Sequence, residues 1–152
     1  MNPPRLLGPV LRLLERMGVR VNPFFVVEEG RQPIELALDN PHITLSLAGV
    51  SDIDQLLLLQ KDHTRASLQR WFMEGKLCFV ARFDNRLGAL MWADLETFNY
   101  PPNFRRLEDD EAYLFAAIAA PDLRGMNIAP SLRAYCYETL RSQGIRKFYS
   151  YT

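Results

Sequence analysis

Residues that usually build reactive centres are scarce in this chain. Of 152 residues, two are cysteine (Cys78, Cys136) and two are histidine (His42, His63). The cysteines lie in separate apolar segments and form no CxxC pair, so the sequence predicts buried, reduced thiols rather than a disulfide framework. The histidines are isolated from them and from each other, so no metal site is expected. An excess of charge is also missing: 18 Lys plus Arg balance 18 Asp plus Glu. No overall field therefore draws the chain to nucleic acid or to an anionic membrane. No apolar run approaches the roughly 20 residues that cross a bilayer. The N-terminal stretch MNPPRLLGPVLRLLERMG is broken by Pro9 and by Arg5, Arg12 and Arg16, so it does not read as a secretory leader. These absences predict a cytoplasmic protein with no nucleic-acid partner and no membrane association.

What is present is an ordinary globular composition, 48% hydrophobic and 11% aromatic, in a length that suits one domain. Leu6, Val10, Leu13 and Met17 make a helical apolar stripe near the N-terminus. That stripe suits a helix packed on the domain or a partner, or a basic helix lying on a membrane surface. FFVVEE and HITLSLAG read as strands, the latter with Ile43, Leu45 and Leu47 on one face. Ser51 is a suitable helix cap for SDIDQLLLLQ, and a second helix is predicted over 64–74, ending at Gly75. KLCFVARF and RLGALMWADL flank Asp84-Asn85, a hairpin signal. The segment 97–110, interrupted by Pro101-Pro102, reads as a long polar-aromatic loop. EAYLFAAIAA is a further strand, a helix is predicted over about 128–143, and RKFYSYT is a last strand.

The closing strand–helix–strand unit implies a parallel pair, because an antiparallel connection needs no intervening helix. The preceding hairpin is antiparallel. The predicted fold is therefore an α/β (α+β) domain with a mixed, mostly antiparallel sheet and helices on both faces.

The chemistry is concentrated where EAYLFAAIAA runs into PDLRGMNIA and the following helix. A helix start carries free N–H groups and partial positive charge, and so favours phosphate. Ala119-Ala120-Pro121 followed by Arg124-Gly125-Met126-Asn127-Ile128-Ala129 resembles the signature of the GNAT superfamily of acyl-CoA-dependent N-acyltransferases. In that family a strand ending Val-x-Pro leads into Arg-x-x-Gly-x-Gly/Ala at a helix start. The resemblance covers roughly residues 43–152, which sets residues 1–42 apart as an N-terminal extension of helix and strand.

The resemblance implies a cofactor site. Backbone N–H groups of Arg124, Gly125, Met126, Asn127, Ile128 and Ala129 would hold the pyrophosphate of acetyl-CoA or another acyl-CoA. A bulge or splay near Ala119 would offer a main-chain amide to the thioester carbonyl. It also implies direct attack of an amine on the thioester, with a small-molecule or peptide amine as acceptor and without metal. An amine acceptor must lose a proton. Glu111 and Tyr113 share one strand face approaching the thioester and are the candidate base or water-holding residues, with Asp94 and Glu96 behind them.

Two departures stand out. Asn127 replaces the second glycine; it tolerates positive φ and is a good N-cap, so the turn is expected to form. Its side-chain amide is expected to occupy a donor that would otherwise meet phosphate. The family's further helix and closing hairpin are missing after Thr152, which would leave an open strand edge. A truncated sequence, completion by another chain as in a homodimer, or a protein that only binds would each account for this. The leading expectation is an acyl-CoA N-acetyltransferase. A noncatalytic acyl-CoA-binding domain and an acyltransferase fed by acyl carrier protein are the alternatives.

Overall fold

A computed structural model describes residues 26–29, 40–100 and 103–151. Strands β1 (Val26–Glu29), β2 (Ile43–Ala48), β3 (Leu77–Phe83), β4 (Arg86–Asp94), β7 (Glu111–Ala119) and β8 (Lys147–Tyr151) form one sheet in the order β1-β8-β7-β4-β3-β2. Its pairs are antiparallel except β7–β8, which is parallel. Helices α1 (Ile53–Leu59), α2 (Arg65–Met73) and α3 (Ile128–Ser142) complete the architecture, with a separate hairpin of β5 (Thr97–Tyr100) and β6 (Asn103–Arg106). The mixed sheet, its parallel strand–helix–strand unit and the helices on both faces are as the periodicity predicts.

Period-two alternation assigns the two faces. On β4, Ala89, Met91 and Ala93 join the cluster under α3, with Leu132, Cys136 and Leu140. Leu90 and Trp92 point the other way, into the cluster under α1 and α2 with Ile53, Leu56 and Leu68. Cys78 and Cys136 therefore lie on opposite faces, both buried and neither in a disulfide. Burial pushes the Cys78 thiol well up, with the Asp52 carboxylate adding to the shift, which keeps it protonated and unreactive. Asp84 and Asn85 take φ of 47° and 66°, the left-handed pair that a tight hairpin between β3 and β4 requires.

Three local expectations change. Ser51 does not cap the first helix; Val50–Asp52 form a 3-10 turn, and Asp52 accepts the Gly49 N–H at 2.9 Å. Thr64 does cap α2, accepting from the Ser67 N–H. Leu47 is 44% exposed, while Ile43 and Leu45 pack on the core. The segment 97–110 is not a plain loop. Its two prolines fall between β5 and β6, so neither strand loses a ladder N–H, and Phe98 is buried against Tyr113.

The edge beyond β8 is occupied. β1, from the segment set apart as an extension, pairs antiparallel with β8 from Val26↔Tyr151 to Glu29↔Phe148. The edge of β8 expected to be open is thus paired by the chain's own earlier strand, and β1 becomes the end strand of the sheet. The amphipathic stripe from Leu6 to Met17 lies outside the described residues. Among the described residues, no helix is long and apolar enough to cross a membrane.

Candidate active site

The site is organised by one interruption in β7. Along β4, Leu90 pairs with Ile118 and Trp92 with Phe115, so two steps on β4 face three on β7. The extra residue is a β-bulge, and Ala116 inside it has φ of 49°. The bulge reverses the side-chain alternation. Ala112 and Leu114 belong to the α3 face, whereas Phe115 and Ile118, three apart, both pack on the opposite face. A bulged strand leaves main-chain groups that its partner does not take. The parallel register with β8 covers only Glu111–Tyr113, so the two strands diverge just before the bulge.

Two cavities flank this point. The first, about 420 Å³, lies between Ala117–Ala119 of β7, Ala89–Met91 of β4 and the start of α3 at Ala129, Pro130 and Arg133. The second, about 390 Å³, is lined by Tyr113 and Phe115 of β7, by Arg70 and Trp71 of α2 with its C-cap Glu74, and by Lys76, Asp94 and Asn99. Tyr113, Phe115, Ala117 and Ala119 thus carry one strand from one cavity to the other through Ala116.

The turn into α3 adjoins the first cavity through Ala129 and Pro130. Pro121–Leu123 form a 3-10 turn, Arg124 is extended, and Gly125 and Asn127 have φ of 83° and 57°. Two N–H groups have turn acceptors, Arg124 to the Pro121 carbonyl and Met126 to the Leu123 carbonyl, both at 3.4 Å. Among the described residues, the N–H groups of Gly125, Asn127, Ile128 and Ala129 have no backbone acceptor. Asn127 occupies the N-cap position, yet its side chain makes no capping bond. The expectation that its amide takes a helix donor is therefore overturned: the left-handed backbone turns the side chain away from the first helical N–H groups. Pro130 costs nothing, because the first helical bond is Ser131 N–H to the Asn127 carbonyl at 3.0 Å.

The turn is anchored from below by Leu123, Ile128 and Gly88, of which only Ile128 stands out in the sequence. Leu123 and Ile128 are buried, and a Cβ on Gly88 would stand 3.0 and 3.3 Å from their Cδ1 atoms. Glycine there lets both anchors reach the sheet, while the Gly88 carbonyl accepts the Ala120 N–H at 2.8 Å. Arg86 at the hairpin end donates to Asp122 at 2.6 Å, clipping the 3-10 turn to β4. Both side chains of that pair are exposed, so its worth is small. Arg133, one turn into α3, also lines the cavity. Its signal in the sequence is only its helical spacing from Ala129.

The two candidate bases part company. Tyr113 lines the second cavity, packed between Phe98 at 4.6 Å and Phe115 at 5.4 Å between ring centroids. Glu111, on the same strand face, is buried away from that cavity. Arg105 donates to its Oε2 at 2.6 Å, the Glu108 N–H donates to the same oxygen at 3.2 Å, and the Tyr149 hydroxyl donates to Oε1 at 3.0 Å. The Arg105 bond, opposed by burial, holds the Glu111 carboxyl at about 2. So low a value with both oxygens engaged makes it a weak proton acceptor at neutral pH and a strong tie between the β5–β6 hairpin and the point where β7 and β8 diverge. Asp94 lines the second cavity, but it accepts the Glu96 and Thr97 N–H groups and the Thr97 hydroxyl, each at 2.9 Å. Lys76 stands 2.5 Å from Glu74 and 3.3 Å from Asp94. Burial lowers its pKa, yet the Glu74 and Asp94 contacts outweigh that and raise it overall. Among the described residues there is no cluster of His, Cys, Asp and Glu able to hold a metal.

Comparison of the sequence with family models found no match, and comparison with curated proteins found none either. Solved structures do match. The ribosomal-protein-S18-alanine N-acetyltransferase from Escherichia coli is similar over 71% of this chain and 65% of its own, at 15% identity and a TM-score of 0.57. A protein from Novosphingobium aromaticivorans assigned to the GNAT family of acetyltransferases is similar over 85% of this chain and 51% of its own, at 17% identity and a TM-score of 0.58. A predicted acetyltransferase from Clostridium acetobutylicum, solved with acetyl-CoA, is similar over 71% of this chain and 79% of its own, at 17% identity and a TM-score of 0.54. This chain thus spans about two thirds and about half of the length of the first two. The fold is that of the GNAT acetyltransferases.

Proposed function

We propose that this protein is an acyl-CoA-dependent N-acyltransferase that moves an acyl group, acetyl in the simplest case, directly to an amine. The observation that carries the reading is β7 itself, which joins two cavities through a bulge. In this reading the donor lies in the first cavity. Its pyrophosphate meets the N–H groups of Gly125, Asn127, Ile128 and Ala129, with the exposed Arg124 beside them. Ala119, beside Ala117 on the cavity wall, flanks the acyl arm, and the thioester carbonyl faces the main chain at Ala116–Ala117 rather than at Ala119. The acceptor amine enters from the second cavity, past Tyr113 and Phe115.

The chemistry then needs few parts. The amine nitrogen attacks the thioester carbon, and the oxyanion is stabilised by a fixed main-chain donor at the bulge. The C–S bond breaks as the tetrahedral intermediate collapses, and the proton lost by the amine is taken up by the departing CoA thiolate. Most of the acceleration comes from holding two reactants against one strand. Tyr113, at the acceptor side of the bulge, is the residue placed to position the amine or a water that relays its proton. Glu111 acts on this geometry from a distance, by fixing the strands. A cytoplasmic setting and a small amine acceptor accord with this reading.

The test is release of free thiol from acetyl-CoA in the presence of a panel of amines, alongside calorimetric titration of acetyl-CoA. Binding with amine-dependent thiol release supports the proposal. Binding without turnover on any amine points instead to a noncatalytic acyl-CoA-binding domain. Absence of binding at millimolar acetyl-CoA refutes both.

A further inference from the structure

The second cavity carries a charge arrangement that specifies its ligand. Arg70 lies on α2 and Glu74, its C-cap, follows four residues later, a spacing at which opposite charges can pair. They do not pair here. The Glu74 carboxylate turns to Lys76 at 2.5 Å, and Lys76 reaches Asp94 at 3.3 Å on its other side. That trio is a closed unit with one net negative charge. Arg70 is left exposed at the cavity rim, with no ion pair among the described residues. Between Arg70 and the bulge runs an aromatic wall. Trp71 meets Phe115 edge-on at 5.2 Å, and Phe115 stacks on Tyr113 at 5.4 Å.

We propose, resting on the acyltransferase reading above, that the acceptor is a free amino acid with an apolar or aromatic side chain, its carboxylate held by Arg70. A guanidinium pairs with a carboxylate through two parallel hydrogen bonds, so it fixes orientation as well as charge. The side chain packs on Trp71 and Phe115. The amino group points along Tyr113 and Phe115 toward Ala116, and the net negative trio and the electron-rich ring faces of the same cavity both favour an ammonium. A volume of about 390 Å³ fits a ligand of this size. A polypeptide N-terminus fits less well, because its first residue has no α-carboxylate for Arg70.

The experiment uses phenylalanine and leucine, their methyl esters, and a short C-terminally amidated peptide beginning with phenylalanine. Binding to the whole chain saturated with CoA is followed by quenching of tryptophan fluorescence at about pH 6, where the amino groups are protonated. Trp71 lines the cavity and reports directly. The expected result is that each acid binds at least tenfold more tightly than its ester. In Arg70→Gln that preference falls to within about twofold, and Arg70→Lys restores part of it. Acetyl-CoA binding and thermal stability should be unchanged in both variants, since Arg70 is exposed and touches neither the donor cavity nor an ionic partner. Equal binding of acid and ester, a preference that survives in Arg70→Gln, tighter binding of the peptide than of the acids, or no binding by any of them would each overturn the proposal. Acetyl-CoA titration of the same samples separates this failure from failure of the acyltransferase reading, which would show as loss of donor binding in the unaltered protein.

Discussion

Ala116 offers the sharpest perturbation, because its φ of 49° is where the account places both the strain and the chemistry. A left-handed alanine costs roughly 1–2 kcal/mol relative to ordinary backbone. Glycine removes that cost but loses about 0.5–1 kcal/mol more entropy on folding. Ala116→Gly should therefore stabilise by between zero and about 1.5 kcal/mol and keep the bulge. Ala116→Val does the reverse. A β-branched side chain at positive φ is a severe outlier. The two added methyls must also enter the cluster that holds Trp92 and Phe115, where overpacking costs about 1–3 kcal/mol. A loss of about 2 kcal/mol or more is expected, unless the strand slips to a regular register and turns Ile118 to the other face. Urea denaturation gives the stability change, and calorimetric titration with acetyl-CoA gives the state of the donor cavity. At this chain length, about 2 kcal/mol corresponds to a fall in Tm of roughly 4–8 °C. The variant should also bind acetyl-CoA at least tenfold more weakly. A valine variant as stable as the parent, with the same affinity, would refute the claim that a strained bulge builds the site.

Three further outcomes follow from the same geometry. Gly88→Val should push Leu123 and Ile128 outward, costing about 1–3 kcal/mol and weakening acetyl-CoA binding, whereas Gly88→Ala needs its neighbours to give by only a few tenths of an ångström; titration of both variants checks the difference. Glu111 has a folded pKa lowered from 4.5 to about 2, so its contribution is present above about 4.5 and is lost as pH falls from there toward 2. Its upper limit is roughly 3 kcal/mol, and denaturation curves of Glu111→Gln should lack that acid-dependent loss while the parent shows it. Asn127→Gly should leave acetyl-CoA affinity within about threefold, since the Asn127 side chain caps no helical N–H; Asn127→Val, β-branched at φ of 57°, should weaken it clearly.

The readability of these features in the sequence differs for physical reasons. Asp84-Asn85 between alternating strands and the strand–helix–strand unit are local signals, and both elements formed as expected. The turn at Arg124–Ala129 was legible because backbone conformation there is written in Gly125 and in an asparagine able to stand left-handed. The bulge was expected nearby, at Ala119, and lies at Ala116. Two adjacent alanines do not show which of them leaves the ladder; only the burial of Phe115 and Ile118 on one face does. Gly88 looked like any strand glycine, because its need arises from Leu123 and Ile128, about 35–40 residues away. The pairing of β1 with β8 joins the two ends of the described chain and has no local signature. The second cavity was hidden for a similar reason. Arg70, Trp71 and Glu74 read as one face of a short helix, and their relation to Lys76, Asp94 and Tyr113 exists only after the sheet has formed.

The central claim is that the turn and the bulge together form an acyl-CoA site. Thermal unfolding with and without acetyl-CoA, on the parent and on Ala116→Val, tests it most directly. At a ligand concentration about 100 times the dissociation constant, binding adds about 2.7 kcal/mol, which at roughly 2–4 °C per kcal/mol raises Tm by about 5–11 °C. The account predicts that rise for the parent and a much smaller one for the valine variant. An unchanged Tm for the parent at millimolar acetyl-CoA would contradict it.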